Sequence, residues 1–171
     1  MKHSKITALA LAATLSTATS AFAVTLTPDS GWNLFGFGAI GNFATKTFEF
    51  TVAGNALVTI ADGYTSGDQF EVFVDNVSQG LTSLPNNGAS FVGGNFDAAA
   101  GDPNFSVWSQ LFAAGTYSIS LLVNARSGTD TNFHLGAIRM DTAPIPAPAA
   151  GLLLLTALGA AAAAGRRRLK T

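Results

Sequence analysis

Apolar and polar residues alternate along much of this chain with a period of two, the period of a strand that buries one face. In residues 116–123, Tyr117, Ile119, Leu121 and Val123 share one face, and Thr116, Ser118, Ser120 and Leu122 the other. The stretch predicts a half-buried strand opened by the turn Ala114-Gly115. The same reading predicts strands over 47–52, 56–61, 68–75, 105–112 and 133–140. In 68–75, Phe70, Val72 and Val74 alternate with Glu71, Phe73 and Asp75, which places most of the charge outward. Gly, Asn and Asp punctuate these runs at short intervals, and 76–104 reads as a long loop. No stretch between the chain's ends keeps a helical period. The expected fold is all-β: a jelly-roll-like two-sheet β-sandwich.

The two ends break this pattern. Lys2 and Lys5 precede an apolar run over 6–13, a small-residue segment follows, and Ala21-Phe22-Ala23 has the A-x-A form of a signal-peptidase site. That apolar run is far shorter than the roughly 20 residues of a spanning helix. Residues 1–23 are therefore expected to be a signal peptide, with cleavage set by Ala21 and Ala23 and a mature start at Val24. At the other end, prolines at 144, 146 and 148 precede an uncharged segment over 149–165, and Arg166, Arg167, Arg168 and Lys170 follow. Pro144, Pro146 and Pro148 favour an extended, accessible backbone. As a helix the uncharged segment would span about 25 Å, just short of a hydrocarbon core of about 30 Å. The trailing arginines should stay cytoplasmic and leave the body facing outward.

This three-part tail resembles the PEP-CTERM sorting signal of Gram-negative bacteria, in particular its Val-Pro-Leu-Pro-Ala variant, with Ala143-Pro144-Ile145-Pro146-Ala147 standing at the motif. The resemblance implies processing by an exosortase, a membrane cysteine transpeptidase, after a transient stay in the inner membrane. The implied destination is the cell surface or the extracellular matrix of a biofilm. An ordinary C-terminal anchor helix is the alternative reading of residues 144–171. The body is similar to one that recurs in exported PEP-CTERM proteins. The similarity lies in Phe48, Phe50 and Val52, the Asp62-Gly63-Tyr64 turn, Gly67-Asp68-Gln69-Phe70-Glu71-Val72, Asp97-Ala98-Ala99-Ala100, Phe105-Ser106, and Leu111 to Ile119. It implies a β-sandwich and brings no catalytic residue with it.

Between the two signals, residues 24–143 are the size of one domain. All ten acidic residues lie between Asp29 and Asp141, opposed there by only Lys46, Arg126 and Arg139, so the body carries a charge of about −7. An acidic surface repels phosphate backbones, which disfavours nucleic acid and leaves cations and neutral polymers such as exopolysaccharide as partners. The absence of cysteine excludes disulfides, thiolate zinc sites and cysteine nucleophiles. Thirteen Phe, with Trp32, Trp108, Tyr64 and Tyr117, supply the apolar area for a core.

Four constellations are candidates for chemistry. Gly36-Phe37-Gly38-Ala39-Ile40-Gly41 spells a dinucleotide fingerprint, but no helical pattern follows it, so a loop or edge strand is expected there. Asp62, Asp68, Glu71 and Asp75 surround a Gly-containing turn and are candidate calcium ligands, although Asp and Gly are also ordinary turn residues. Trp32, Phe35, Phe37 and Trp108 could stack on sugar rings, or fill the core. His134 is the body's one histidine, and no G-x-S-x-G turn accompanies it. The expectation is a non-enzymatic surface protein in a structural or adhesive role. A carbohydrate-binding module using calcium or aromatics is one alternative, and a polysaccharide hydrolase using paired carboxylates another.

Overall fold

Side-chain parity decides which face each strand buries, and the computed structural model, which describes residues 22–128 and 134–143, follows that rule. In chain order the elements are β1 (Phe22–Thr25), β2 (Asn33–Phe37), β3 (Lys46–Val52), β4 (Ala56–Asp62), β5 (Tyr64–Thr65) and β6 (Gln69–Val74). There follow β7 (Val77–Leu81), β8 (Phe91–Gly93), the helix α1 (Phe96–Gly101), β9 (Val107–Phe112), β10 (Gly115–Ala125) and β11 (His134–Thr142). Five strands form one sheet in the order β1-β3-β10-β6-β7, four form a second in the order β2-β11-β4-β9, and β5 pairs with β8 as a separate ribbon. The protein is an all-β sandwich. All six predicted strands are present, the 105–112 strand beginning at Val107.

The core lies between the two larger sheets. Phe48, Phe50 and Val52 of β3, Phe70, Val72 and Val74 of β6 and Ile119, Leu121 and Val123 of β10 point in from one side. Phe35 and Phe37 of β2, Val58 and Ile60 of β4 and Ile138 and Met140 of β11 meet them from the other. Aromatic edges meet faces throughout: Phe37 and Phe70 lie 4.8 Å apart at 84°, and Phe50 and Phe112 5.2 Å apart at 90°. Such T-shaped contacts place each ring's positive edge on its neighbour's negative face. A cysteine-free domain of this size is held by such burial.

Residues 76–104 differ from the expected loop, since they contain β7, β8 and α1. Asp75 and Asn76 both have positive φ, 50° and 64°, and sit between the paired Val74 and Val77. They form the two-residue turn whose twist matches a β-hairpin. The helix is capped by Asn95, whose Oδ1 accepts the Ala98 N–H at 3.1 Å. It buries Phe96 and Ala99 on the outer side of β4. That cover explains why β4 is buried on both faces over Val58 to Asp62, where one-sided burial was expected. Trp32 packs against Phe96 with the rings tilted at 41°, its indole N–H donates to Asp97 at 3.1 Å, and the Arg139 guanidinium lies 4.6 Å from the Trp32 ring centroid.

A second tie joins the start of the described chain to its end. The Asp29 N–H donates to the Met140 carbonyl at 2.8 Å, and the Thr142 N–H donates to Asp29 Oδ1 at 2.9 Å. The Thr142 hydroxyl donates to Asp29 Oδ2. These donors hold the Asp29 carboxyl below the usual carboxylate range. Among the described residues, no helix is long and apolar enough to cross a membrane. The segment read as a sorting helix, with Pro144, Pro146, Pro148 and Arg166, Arg167 and Arg168, lies outside the described residues. So does the signal sequence as far as Ala21, whereas Ala23 belongs to β1.

Candidate functional site

One end of the sandwich collects most of its buried polar residues. The register sets Asp62, at the end of β4, opposite Gly136 of β11, and Gln69 of β6 opposite Ala125 of β10. The segments that leave these strands therefore meet where the sheets come together. Asp62 and Asp68 are both buried there, with Ser66, Thr82, Ser106 and Ser127. Each buried group needs a partner to offset lost hydration. The Ser66 hydroxyl donates to the Asn86 carbonyl at 2.6 Å, and Thr82 Oγ1 donates to Ser106 Oγ at 3.0 Å.

Asp62 braces the segment between β4 and β6. Its Oδ1 accepts the Gly63 N–H at 2.7 Å, and its Oδ2 accepts those of Gly67 and Asp68 at 3.2 and 3.1 Å. Gly67 has φ of +139°, and a Cβ there would fall 2.7 Å from Asn87 Oδ1 and 2.9 Å from the Ser127 Cβ. Only glycine lets these segments approach so closely. Burial first, and the negative charge of Asp68 second, push the Asp62 carboxyl up to about 8, while the three N–H donors pull the other way.

Asp68 ties the opposite side. Its Oδ1 accepts the Ser127 N–H at 2.6 Å, and His134 Nδ1 lies 3.1 Å from Oδ2 and 3.3 Å from Oδ1. Ser127 Oγ is 3.5 Å from the same His134 Nδ1. A serine relay needs the hydroxyl on one ring nitrogen and the carboxylate on the other, so that the imidazole can carry a proton between them. Here Asp68 and Ser127 both approach the same ring nitrogen, Nδ1.

Over this network opens a cleft of about 480 Å³, with Asp68, Ser127 and His134 on its floor and Tyr64, Phe91 and Leu135 on its walls. Tyr64 and Phe91 stand on the β5–β8 ribbon and are 40% and 74% exposed. Tyr64 has φ of +57°, a rare conformation for a bulky side chain. Asp62 is not part of the lining, so the two buried carboxyls do not face each other across open space.

Asp62 and Asp68 thus come together, while the other two candidate calcium ligands stand elsewhere. Glu71 has the opposite parity to Asp68 on β6 and accepts from the Ser78 hydroxyl at 2.6 Å. Asp75 is in the hairpin turn at the far end of β6, where its Oδ1 accepts the Ser118 N–H at 2.8 Å. Among the described residues, no group of three or more His, Asp or Glu could hold a metal ion. Asp97 and Asp102 are engaged separately, Asp97 with Trp32 and Arg139 and Asp102 with Ser90 and Asn104.

Of the two uses open to the aromatics Trp32, Phe35, Phe37 and Trp108, the structure favours core packing over sugar stacking. Phe35 and Phe37 are fully buried, Trp108 packs against the core, and Trp32 lies between Phe96 and Arg139. Sequence reasoning passed over Phe91 and Ser127, and counted Tyr64 toward the core, whereas it is 40% exposed at the cleft. The Gly36 to Gly41 run enters β2 and a turn with no helix after it, so it lacks the helix N-terminus that a pyrophosphate needs.

No protein-family model and no curated protein matches the chain. Among solved structures, the chain is similar to the pre-peptidase C-terminal domain of a collagenase from Bacillus anthracis, at 10% identity and a TM-score of 0.39. The match covers 74% of this chain and 99% of that domain, and no residue role is carried over from it.

Proposed function

We propose that the protein is an exported, surface-sorted β-sandwich that works without catalysis, in a structural or adhesive role within a biofilm or exopolysaccharide matrix. The observation that supports the non-catalytic part is the shared nitrogen: Ser127 and Asp68 both approach His134 Nδ1, and among the described residues Asp68 is the one acidic residue on the cleft lining. In a serine relay the hydroxyl and the carboxylate stand on opposite ring nitrogens, whereas here they share one. The fold reading is a jelly roll. It is supported by the way successive strands from β2 to β4 change sheets and by the interleaved orders β3-β10-β6-β7 and β2-β11-β4-β9.

The sorting part rests on the tail. An exosortase-type transpeptidase would act near Pro144 to Pro148, with Arg166, Arg167 and Arg168 retained on the cytoplasmic side. Mass spectrometry of the protein recovered from the cell surface tests this. The expected mature form starts at Val24 and lacks residues 166–171, and a surface form that keeps them sinks the sorting reading.

A further inference from the structure

We infer that the cleft above Asp68 and His134 is a binding site for a neutral pyranose unit of a polysaccharide, gripped by Tyr64 and Phe91. This deepens the function proposed above and rests on its exopolysaccharide-binding part.

The size is right for a small ligand: about 480 Å³ falls within the roughly 300–1,000 Å³ of such sites. The walls suit a sugar ring, whose C–H face packs on aromatic faces. Most of the phenylalanines of this chain fill the core, whereas Phe91 and Tyr64 keep much of their surface on one two-stranded ribbon beside the same opening. Tyr64 also holds a backbone conformation that glycine would adopt without strain. Its ring, set edge-to-face against Phe96 at 6.4 Å, is thus fixed at the wall. Strain retained beside a cleft points to a use for the side chain that causes it.

The floor supplies direction. Asp68 and Ser127 are buried, and the Ser127 hydroxyl, the His134 imidazole and the Asp68 carboxylate line the same cleft, where they would meet a sugar ring's polar edge. A carboxylate keeps acceptor capacity beyond one hydrogen bond per oxygen, which suits sugar hydroxyl donors. Charge selects among polymers: a body near −7 with a carboxylate at the cleft floor disfavours uronic acids and leaves neutral hexoses.

The test is affinity electrophoresis of the mature exported protein through gels cast with dextran, a β-glucan, a galactomannan or alginate. Retardation is expected in at least one neutral gel and not in alginate. Phe91→Ala and Tyr64→Gly should each raise the apparent dissociation constant about fivefold. Phe43→Ala, at an exposed ring on the outer side of the larger sheet, should leave it unchanged. Phe91 is largely exposed, and glycine tolerates the Tyr64 backbone, so both variants should fold, as circular dichroism would verify. No retardation in any neutral gel, retardation in alginate alone, or unaltered binding by both cleft variants overturns the site. Reducing ends that accumulate with bound polymer would instead overturn the non-catalytic reading and leave the site standing.

Discussion

The backbone N–H of Asp68 donates to the Asp62 carboxyl at 3.1 Å, so two acidic residues whose side chains repel are joined through the main chain. The energetic result depends on pH. Asp62 is raised to about 8 from an ordinary 3.8, so between these values the folded state binds a proton that the unfolded state has released. Its contribution to stability is fully present below about 4 and is lost as pH rises through 8. Denaturant titrations between pH 5 and pH 8 should show stability falling by up to about 1.4 kcal/mol per pH unit. Asp62→Asn should flatten that slope.

At the acid end the sign reverses. Asp29 is lowered by Thr142, and Asp102 chiefly by the Asn104 N–H and then by Ser90. Their contributions are present above the ordinary carboxylate value and are lost as pH falls below it. Asp29→Asn should shift the acid-unfolding midpoint, followed by circular dichroism, and leave the alkaline limb unchanged.

Gly67 separates conformational strain from collision. Gly67→Ala forces a Cβ into Asn87 and Ser127 at a positive φ, and should cost about 2–4 kcal/mol of unfolding free energy. Gly88→Ala also meets a positive φ, but no atom lies within 4 Å, and its cost should stay near ~1 kcal/mol. Thermal melts of the two variants side by side make the comparison.

Phe70 touches the rings of both Phe35 and Phe37 at 5.4 and 4.8 Å between centroids. Phe70→Ala should cost about 3–5 kcal/mol, because the opposing sheets cannot close the gap. Equilibrium denaturation reads it directly.

Calcium should leave the melting temperature where chelator leaves it. The Asp62 and Asp68 oxygens already accept protein N–H groups, and Glu71 and Asp75 stand apart from them. Scanning calorimetry with calcium and with chelator checks this, and a rise with calcium would revive a metal site.

Much of this fold was legible because burial imposes a period of two. Phe70, Val72 and Val74 could be read as inward, and the same parity puts Asp68 inward, a charge at a core position that calls for a partner. The partner was not legible, since His134 and Ser127 reach Asp68 across 66 and 59 residues. α1 escaped because six residues with Phe96 and Ala99 inward give too little periodicity to count. β7 escaped for the opposite reason, as all five of its residues are exposed and no alternation marks it. Aromatic character alone could not sort Phe91 from Phe35, because which ring stays outside is decided by the sheet each joins.

The clamp between Asp29 and Thr142 has a mechanical side. Any chain continuing past Ala143 pulls on the sandwich through the end of β11, an inner strand bonded to β2 on one side and β4 on the other. Tension along that strand loads both ladders in shear, so many perpendicular hydrogen bonds must yield together rather than one after another. A domain tethered at that point would resist being drawn out by flow or by a sliding neighbour, with the Asp29 carboxylate as the first latch to carry the load.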